Sequence, residues 1–148
     1  MHTEDIEFVD YGGFWVRFVA YLIDSFVLFI IQGISNLVFF GSLSMELESM
    51  SGEEKVLYFT VNILLGVAYF AGMESSKNMA TLGKMALDLR VVDENGNQLS
   101  FLRATGRYFA KILSGLLLLI GYIMAAFDSR KQALHDKLAK TLVIVTNK

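Results

Sequence analysis

Arg17 and Asp24 are charged residues in a long and mainly apolar stretch, residues 14–40. As a helix this stretch would be roughly 40 Å long at about 1.5 Å per residue, which exceeds the ~30 Å hydrocarbon layer of a membrane. A carboxylate at such a depth costs at least ~2.5 kcal/mol, so Asp24 is expected to face protein or water. The sequence therefore predicts an intramembrane acid that can bind a proton or a monovalent cation.

The spacing of the two residues indicates where their partners lie. Arg17 and Asp24 are two helical turns apart on one polar stripe, beyond the reach of a direct pair on one helix. Each should find its partner on another segment. Arg103, Arg107 and Lys111 recur every fourth position, and this cationic stripe is the expected partner of Asp24. A neighbouring subunit or water is the alternative partner, and the stripe, Arg103 above all, can instead reach lipid headgroups.

Catalytic and metal chemistry is not expected. The chain has no cysteine, which excludes disulfides and thiolate metal sites. His135 and Asp136 are adjacent, but neighbouring side chains point to different helix faces, which favours a structural place at the surface. No serine and histidine arrangement indicates nucleophilic catalysis. We therefore expect no enzyme, no cofactor and no metal site. The net charge of -2, without basic residues interleaved with aromatic ones, argues against nucleic acid.

Composition indicates one membrane domain over residues 1–148. The chain is 54% hydrophobic with a mean hydropathy of +0.48, which is above the usual globular range. Apolar segments predict membrane spans at about 14–40, 56–73 and 109–127. The third segment is either an ordinary crossing, which we favour because it is long enough, or a hairpin that dips into the membrane around Ser114 and Gly115.

Smaller elements are expected outside the membrane. A β-hairpin is predicted at about 87–101, where Asn95 and Gly96 follow a β-branched run, and residues 141–146 can add a third strand. A short amphipathic surface helix is predicted at about 130–140, with Asp128 or Ser129 as its N-cap. The fold class is thus an all-α membrane protein with about three transmembrane helices, a small cytoplasmic β-hairpin or three-stranded sheet, and this short helix.

The chain resembles the RDD family of small integral membrane proteins, named for an arginine and two aspartates. Arg17 and Asp24 match its first two signature positions, and the second aspartate maps to Asp136 or Asp128, of which Asp136 has the closer context. The resemblance is carried by residues 13–17, 21–24, 81–84, 89–96, 127–128 and 134–139, which read GFWVR, YLID, TLGK, LRVVDENG, FD and LHDKLA. It implies transport of an unidentified ligand, and sodium/proton antiport has been attributed to some relatives.

Two functions follow as expectations. The first is an ion or small-solute transporter that exchanges a cation or proton at Asp24 and works as a homo-oligomer, since three apolar segments hardly enclose a path alone. The second is a non-transporting membrane partner that binds protein or anionic lipid. Because short basic loops tend to remain in the cytoplasm, we expect a multi-pass protein of the cell (inner) membrane with its N-terminus inside and the lipid bilayer as its surroundings.

Overall fold

Two long helices follow from the first two apolar segments. The computed structural model describes residues 10–44, 46–116 and 120–146. Helix α1 covers Phe14–Phe40 and helix α2 covers Gly52–Glu74, and both are long and apolar enough to cross a membrane. α1 ends at Gly41, whose positive φ of 72° stops the helix. α2 begins in a capping box formed by Ser51 and Glu54, one turn before the predicted start of the second span.

The small sheet has two antiparallel strands, β1 at Leu89–Asp93 and β2 at Thr141–Val145. Both faces of the sheet are covered, which explains why the strands are almost continuously apolar. One face packs on small side chains of the helices, and the other packs on Tyr11 and Met79. The residues of these two faces are Leu89, Val91 and Val143 on the first and Val92, Leu142 and Ile144 on the second.

The predicted hairpin at 87–101 is wrong in its second strand. β1 pairs with residues that lie some fifty positions later, in the run that we expected as an optional third strand. The turn after β1 is held by the Asp93 carboxylate, which accepts the backbone N–H groups of Asn95 and Asn97 at 2.9 and 2.8 Å. Leu99 then enters the core and Ser100 caps the next helix, so no residues remain for a returning strand.

The third apolar segment is a broken helix. Helix α4 covers Phe101–Leu116 and helix α5 covers Ile120–Phe127, and their axes differ by 101°. The Tyr122 hydroxyl on α5 lies 3.4 Å from the carbonyl of Lys111 on α4, so the two arms contact each other. A pair bent in this way is either a broken crossing or a hairpin that dips into the membrane, and both of the alternatives that we expected are compatible with it.

Two short helices complete the fold, α3 at Leu82–Ala86 and α6 at Leu134–Ala139. α6 lies where the tail helix was predicted but begins later, after an N-cap at Ala133. It is not a surface helix. His135 and Asp136 are buried, because α6 packs on α4 and Asp136 meets cationic side chains there. The mostly helical architecture with a small sheet confirms the predicted fold class.

Candidate functional site

The first part of the site is a buried carboxylate with neutral donors. Asp24 on α1 is 1% exposed. Its Oδ1 accepts hydrogen bonds from the Tyr69 hydroxyl at 2.7 Å and from the Gly83 backbone N–H at 2.8 Å. Its Oδ2 accepts one from the Thr81 hydroxyl at 2.6 Å. We call Asp24, Tyr69, Thr81 and Gly83 the Asp24 cluster.

Three elements position this cluster. Tyr69 lies in a π-helical turn of α2, Val67–Ala71, a feature that often marks functional sites. Thr81 and Gly83 lie at the start of α3, where backbone N–H groups have no partner within the helix. Gly83 permits the close approach of α3 to α1, because a Cβ there would collide with the carbonyl of Ala20 and with the Asp24 carboxylate.

The second part is an ionic network around Arg107 on α4, which is 1% exposed. Its Nη1 donates to Glu74 Oε2 at 2.7 Å and its Nη2 donates to Asp136 Oδ1 at 2.6 Å. Its Nε lies 3.2 Å from both Asp136 Oδ1 and Thr141 Oγ1. One guanidinium therefore joins the end of α2, the helix α6 and the strand β2.

Arg17 and two lysines extend this network. Arg17 pairs with the other Asp136 oxygen and donates to the backbone carbonyls of Gly12 and Lys131 at 2.7 and 2.6 Å. These bonds fix the start of α1 against the segment before α6. On the opposite side Glu74 pairs with Lys84 at 2.9 Å and with Lys111 at 3.3 Å. We call these six ionisable residues the Arg107 network; they are Arg17, Glu74, Lys84, Arg107, Lys111 and Asp136.

The Asp24 cluster and the Arg107 network are connected. Lys84 Nζ lies 3.5 Å from Thr81 Oγ1, and Thr81 donates onward to Asp24. A chain of polar contacts thus runs from Asp24 through Thr81, Lys84 and Glu74 to Arg107. Such polar contacts are electrostatically stronger in a low-dielectric protein interior than in water.

The electrostatics of α6 follow from its neighbours. Burial alone would raise the pKa of Asp136, but the guanidiniums of Arg107 and Arg17 hold it well below its usual range. Burial lowers the pKa of His135 and outweighs the Asp136 carboxylate, which raises it. The nearby cations add to the lowering, so the imidazole is neutral at pH 7. Asp128 lies nearer the surface, where a hydrogen bond from Lys137 lowers its pKa.

The prediction that Asp24 meets Arg107 or Lys111 is wrong. Both cations pair with Glu74, and Arg107 also pairs with Asp136. Among the described residues Asp24 forms no ion pair, because hydroxyl and amide donors already occupy its oxygens. The prediction that Arg17 and Asp24 each find partners on other segments is confirmed.

The remaining predicted site residues lie apart from these centres. Arg103 is half exposed and lies 3.7 Å from Asp93. Asp128 accepts the backbone N–H groups of Arg130 and Gln132 and pairs with Lys137 at 2.6 Å, so it holds the turn before α6. Asp136 pairs with the side chains of Arg17 and Arg107, so of the two candidate aspartates it is the one that lies in the site.

A cavity of about 300 Å³ joins the two centres. Its charged and polar lining consists of Arg17, Tyr21, Asp24, Lys84, Arg107, Lys111, Tyr122 and His135. Much of the remaining wall is aromatic, and Phe14, Phe18 and Phe70 contribute to it. Within the described ranges no group of three histidine, aspartate or glutamate side chains is placed to hold a metal ion. The arrangement can bind a small polar or amphipathic molecule next to a buried acid.

Sequence reasoning missed several of these residues. Glu74 was not singled out, although a carboxylate at the end of an apolar segment is a signal that a charged partner is needed. His135 was assigned to the surface, and Lys84 was singled out as part of the TLGK block of the family resemblance but not as a site residue. Tyr69 was not among the predicted site residues, although it donates a hydrogen bond from α2 to Asp24. The role of Thr81 could not be found from local sequence, because it depends on how α3 docks.

Comparisons with known proteins match the chain to one family model and to relatives in Bacillus subtilis. The sequence model of the RDD family matches residues 11–140. YxaI of Bacillus subtilis (strain 168), described as an uncharacterized protein, is 40% identical over 146 residues, covering 90% of this chain and 96% of that protein. YteJ of the same organism, described as an uncharacterized membrane protein, is 35% identical over 142 residues, covering 90% and 80%. No solved structure matches the chain significantly.

Proposed function

We propose that this chain, which belongs to the RDD family, moves a small solute across the membrane and couples that movement to a proton at Asp24. The observation that carries the proposal is the position of Asp24, a buried carboxylate on a membrane-spanning helix at the wall of a 300 Å³ cavity. Ionisable residues within membrane segments are costly, and they commonly mark substrate or ion pathways. The cavity provides the space for the solute.

The geometry supports a proton better than a metal cation at Asp24. Two of its three donors, Tyr69 and Thr81, are hydroxyl groups, which rotate and can accept a hydrogen bond as well as donate one. A protonated Asp24 therefore keeps its partners without repacking. A metal ion would instead need the carboxylate oxygens that these donors occupy, and the cavity wall also presents Lys84 and Lys111, whose positive charges repel it.

The coupling in this proposal acts through the polar chain between the two centres. Loss of the negative charge at Asp24 weakens the attraction that orients Thr81 and Lys84. Lys84 shares Glu74 with Arg107, which holds α4 and α6 together. A proton at Asp24 thus changes the ion pairs that hold α4 in place. We propose that α4 and α5 together open and close the cavity.

The experiment is proton movement in proteoliposomes. Purified protein is reconstituted with a pH-sensitive dye inside, and gradients of sodium, potassium, amino acids or carboxylates are imposed. We expect at least one gradient to drive proton movement above the level of empty liposomes. Asp24→Asn should abolish this movement, while size-exclusion chromatography shows the same folded species as wild type.

Asp128→Asn is the matched control, since it also removes one carboxylate but from a side chain that does not line the cavity. It should retain wild-type flux. Equal flux in Asp24→Asn and wild type would remove Asp24 from the mechanism, and no flux under any gradient would contradict the transport proposal.

The proposal also covers the oligomeric state of the protein and its location in the membrane. Most of the α1 surface is exposed and apolar, so lipid or further copies of the chain cover it, and we propose a homo-oligomer in the cell membrane with the sheet on the cytoplasmic side. The alternative is a non-transporting partner that binds another protein or anionic lipid. A stable stoichiometric partner on purification together with absent flux would favour that alternative.

A further inference from the structure

The cavity has a positive lining that the proton at Asp24 does not explain. Four cationic side chains, Arg17, Lys84, Arg107 and Lys111, contribute to its wall, but Asp24 is the single carboxylate among the lining residues. Glu74 and Asp136 lie behind the wall, where they pair with these cations. A molecule in the cavity therefore meets the cations before it meets their counterions.

The basic and acidic groups at this centre are unequal in number. Its described residues provide four basic side chains, Arg17, Lys84, Arg107 and Lys111, and three carboxylic acids, Asp24, Glu74 and Asp136. Among the described residues, the four basic side chains pair with two of these acids, Glu74 and Asp136. A surplus of positive charge in a largely buried environment is unfavourable, so the centre favours the entry of one negative charge.

The two lysines have hydrogen-bonding capacity for such a ligand. An ammonium group has three donors. Within the described part of the chain, Lys111 Nζ donates to Glu74 and lies 4.2 Å from the centre of the Phe70 ring. Lys84 Nζ donates to Glu74 and Thr81. Each ammonium can therefore donate a further hydrogen into the cavity that both lysines line.

His135 provides an independent sign of a ligand. It is 4% exposed and lines the cavity, and its Nδ1 is a buried atom with no hydrogen-bond partner among the described residues. Its Nε2 faces the Asp136 carboxylate at 3.6 Å, which favours the proton on Nε2 and leaves Nδ1 as an acceptor. An unsatisfied buried acceptor is costly, and a ligand O–H or N–H group would satisfy it.

The shape of the cavity restricts the ligand further. Phe18 and Tyr21 on α1 and Ile123 on α5 line it and are also substantially exposed, so its mouth lies between α1 and the bent α4–α5 pair. The walls near this mouth are aromatic and aliphatic. A volume of about 300 Å³ is at the lower end for ligand sites. The occupant must therefore be small, with an apolar body.

We propose that this cavity binds one small organic monoanion, with its anionic oxygens at Lys84 and Lys111, its apolar body against the aromatic wall, and an O–H or N–H donor at Nδ1 of His135. This inference rests on the proposed transport function and names its substrate class. The anion can come from solution or from a lipid headgroup, and the experiment separates these two sources.

The test is calorimetric titration of the protein in nanodiscs of zwitterionic lipid. The probe is 4-hydroxybenzoate, which has an anionic group, an aromatic body and a hydroxyl donor. We expect saturable binding at one site. The neutral 4-hydroxybenzamide should bind at least about tenfold more weakly because it lacks the charge, and 4-methoxybenzoate should bind several-fold more weakly because it lacks the donor.

Variants test the assigned contacts. Lys111→Met should weaken 4-hydroxybenzoate binding at least about tenfold, whereas Lys111→Arg should largely restore it. Arg103→Met, on the same helix but outside the cavity, should bind as wild type does. His135→Leu should lower the affinity for 4-hydroxybenzoate to that for 4-methoxybenzoate and leave the affinity for 4-methoxybenzoate unchanged, a selectivity that misfolding would not produce.

Three results would overturn the inference. These are the absence of saturable binding, equal binding of the benzoate and the benzamide, or unchanged binding in Lys111→Met. If phosphatidylglycerol in the nanodisc displaces the probe, a lipid headgroup occupies the same site, whereas an unchanged probe affinity assigns the site to a free solute. Binding is measured without a gradient, so it is independent of transport. Binding of the probe without flux would contradict the transport proposal alone. Flux without binding of the probe would contradict the proposed monoanion site alone.

Discussion

Asp24 and Asp136 are both buried aspartates, but they are stabilised in different ways. Asp24 accepts hydrogen bonds from two hydroxyls and one backbone N–H. Asp136 pairs with the guanidiniums of Arg17 and Arg107. An aspartate with neutral donors can gain a proton, because a hydroxyl group can accept a hydrogen bond from the protonated carboxyl instead of donating one. An aspartate between two arginines must remain negatively charged, because the guanidiniums would otherwise lose their counterion. The proposed function therefore places proton exchange at Asp24, whereas Asp136 holds the two arginines in position.

The largest expected effect is that of Asp136→Asn. It leaves the buried Arg107 short of a counterion and releases Arg17, so the protein should be destabilised by about 3–5 kcal/mol. Denaturant unfolding in detergent micelles measures this loss. Asp128→Asn is the matched control and should cost no more than about 1 kcal/mol, since that carboxylate is partly exposed. Similar losses for the two variants would break the distinction between them.

Gly83→Ala tests the contact between α3 and the Asp24 cluster. The added methyl group meets the carbonyl of Ala20 and the Asp24 carboxylate, and such overpacking costs typically about 1–3 kcal/mol. Gly106→Ala is its control, because a Cβ at Gly106 has open space within 4 Å. That variant should keep or slightly raise the melting temperature, since alanine favours helix. A melting temperature unchanged in both variants would contradict the close approach of α3.

Asp24→Asn should cost less stability than Asp136→Asn despite equal burial. The amide keeps one acceptor oxygen for Gly83 and Tyr69, so we expect a loss of about 1–2 kcal/mol from weakened hydrogen bonds. The same denaturant titration measures it. A loss as large as that of Asp136→Asn would show that Asp24 also balances a buried cation, and it would refute the contrast on which the proton site rests.

The smallest expected effect is the pH dependence caused by His135. Its pKa is far below 6.5 in the folded protein, so the unfolded chain binds a proton first as the pH falls. The free energy of unfolding is therefore highest above about pH 6.5, and it should decline by about 1.4 kcal/mol between pH 7.5 and 5.5. His135→Leu should flatten the stability profile over this range. An identical slope in the variant would assign the titration to other groups.

Local sequence was sufficient for part of the fold and the site. The apolar run around Asp24 predicted α1, the apolar residues after Lys55 predicted α2, and the spacing of Arg17 and Asp24 correctly excluded a direct pair. Residues 141–146 were recognised as a strand. These features follow from composition and helical periodicity, which depend on neighbours in the chain.

Other features could not be derived in this way. The Asn95-Gly96 signal predicted a hairpin. In the structure, Leu99 is buried in the hydrophobic core outside any strand, and β1 pairs with β2 instead. Arg107 was recognised as important but was assigned to Asp24. Its true partners, Glu74 and Asp136, lie 33 and 29 positions away in the chain, and no local pattern connects them.

The sequence by itself thus determined that this is an RDD-family membrane protein with a carboxylate buried in its first span. The tertiary structure decided which groups satisfy each buried charge. The physical reason is that burial requires partners, whereas the identity of the partners depends on which segments the folded chain brings together. For Asp24 those partners are hydroxyls and a backbone amide, and for Asp136 they are two arginines.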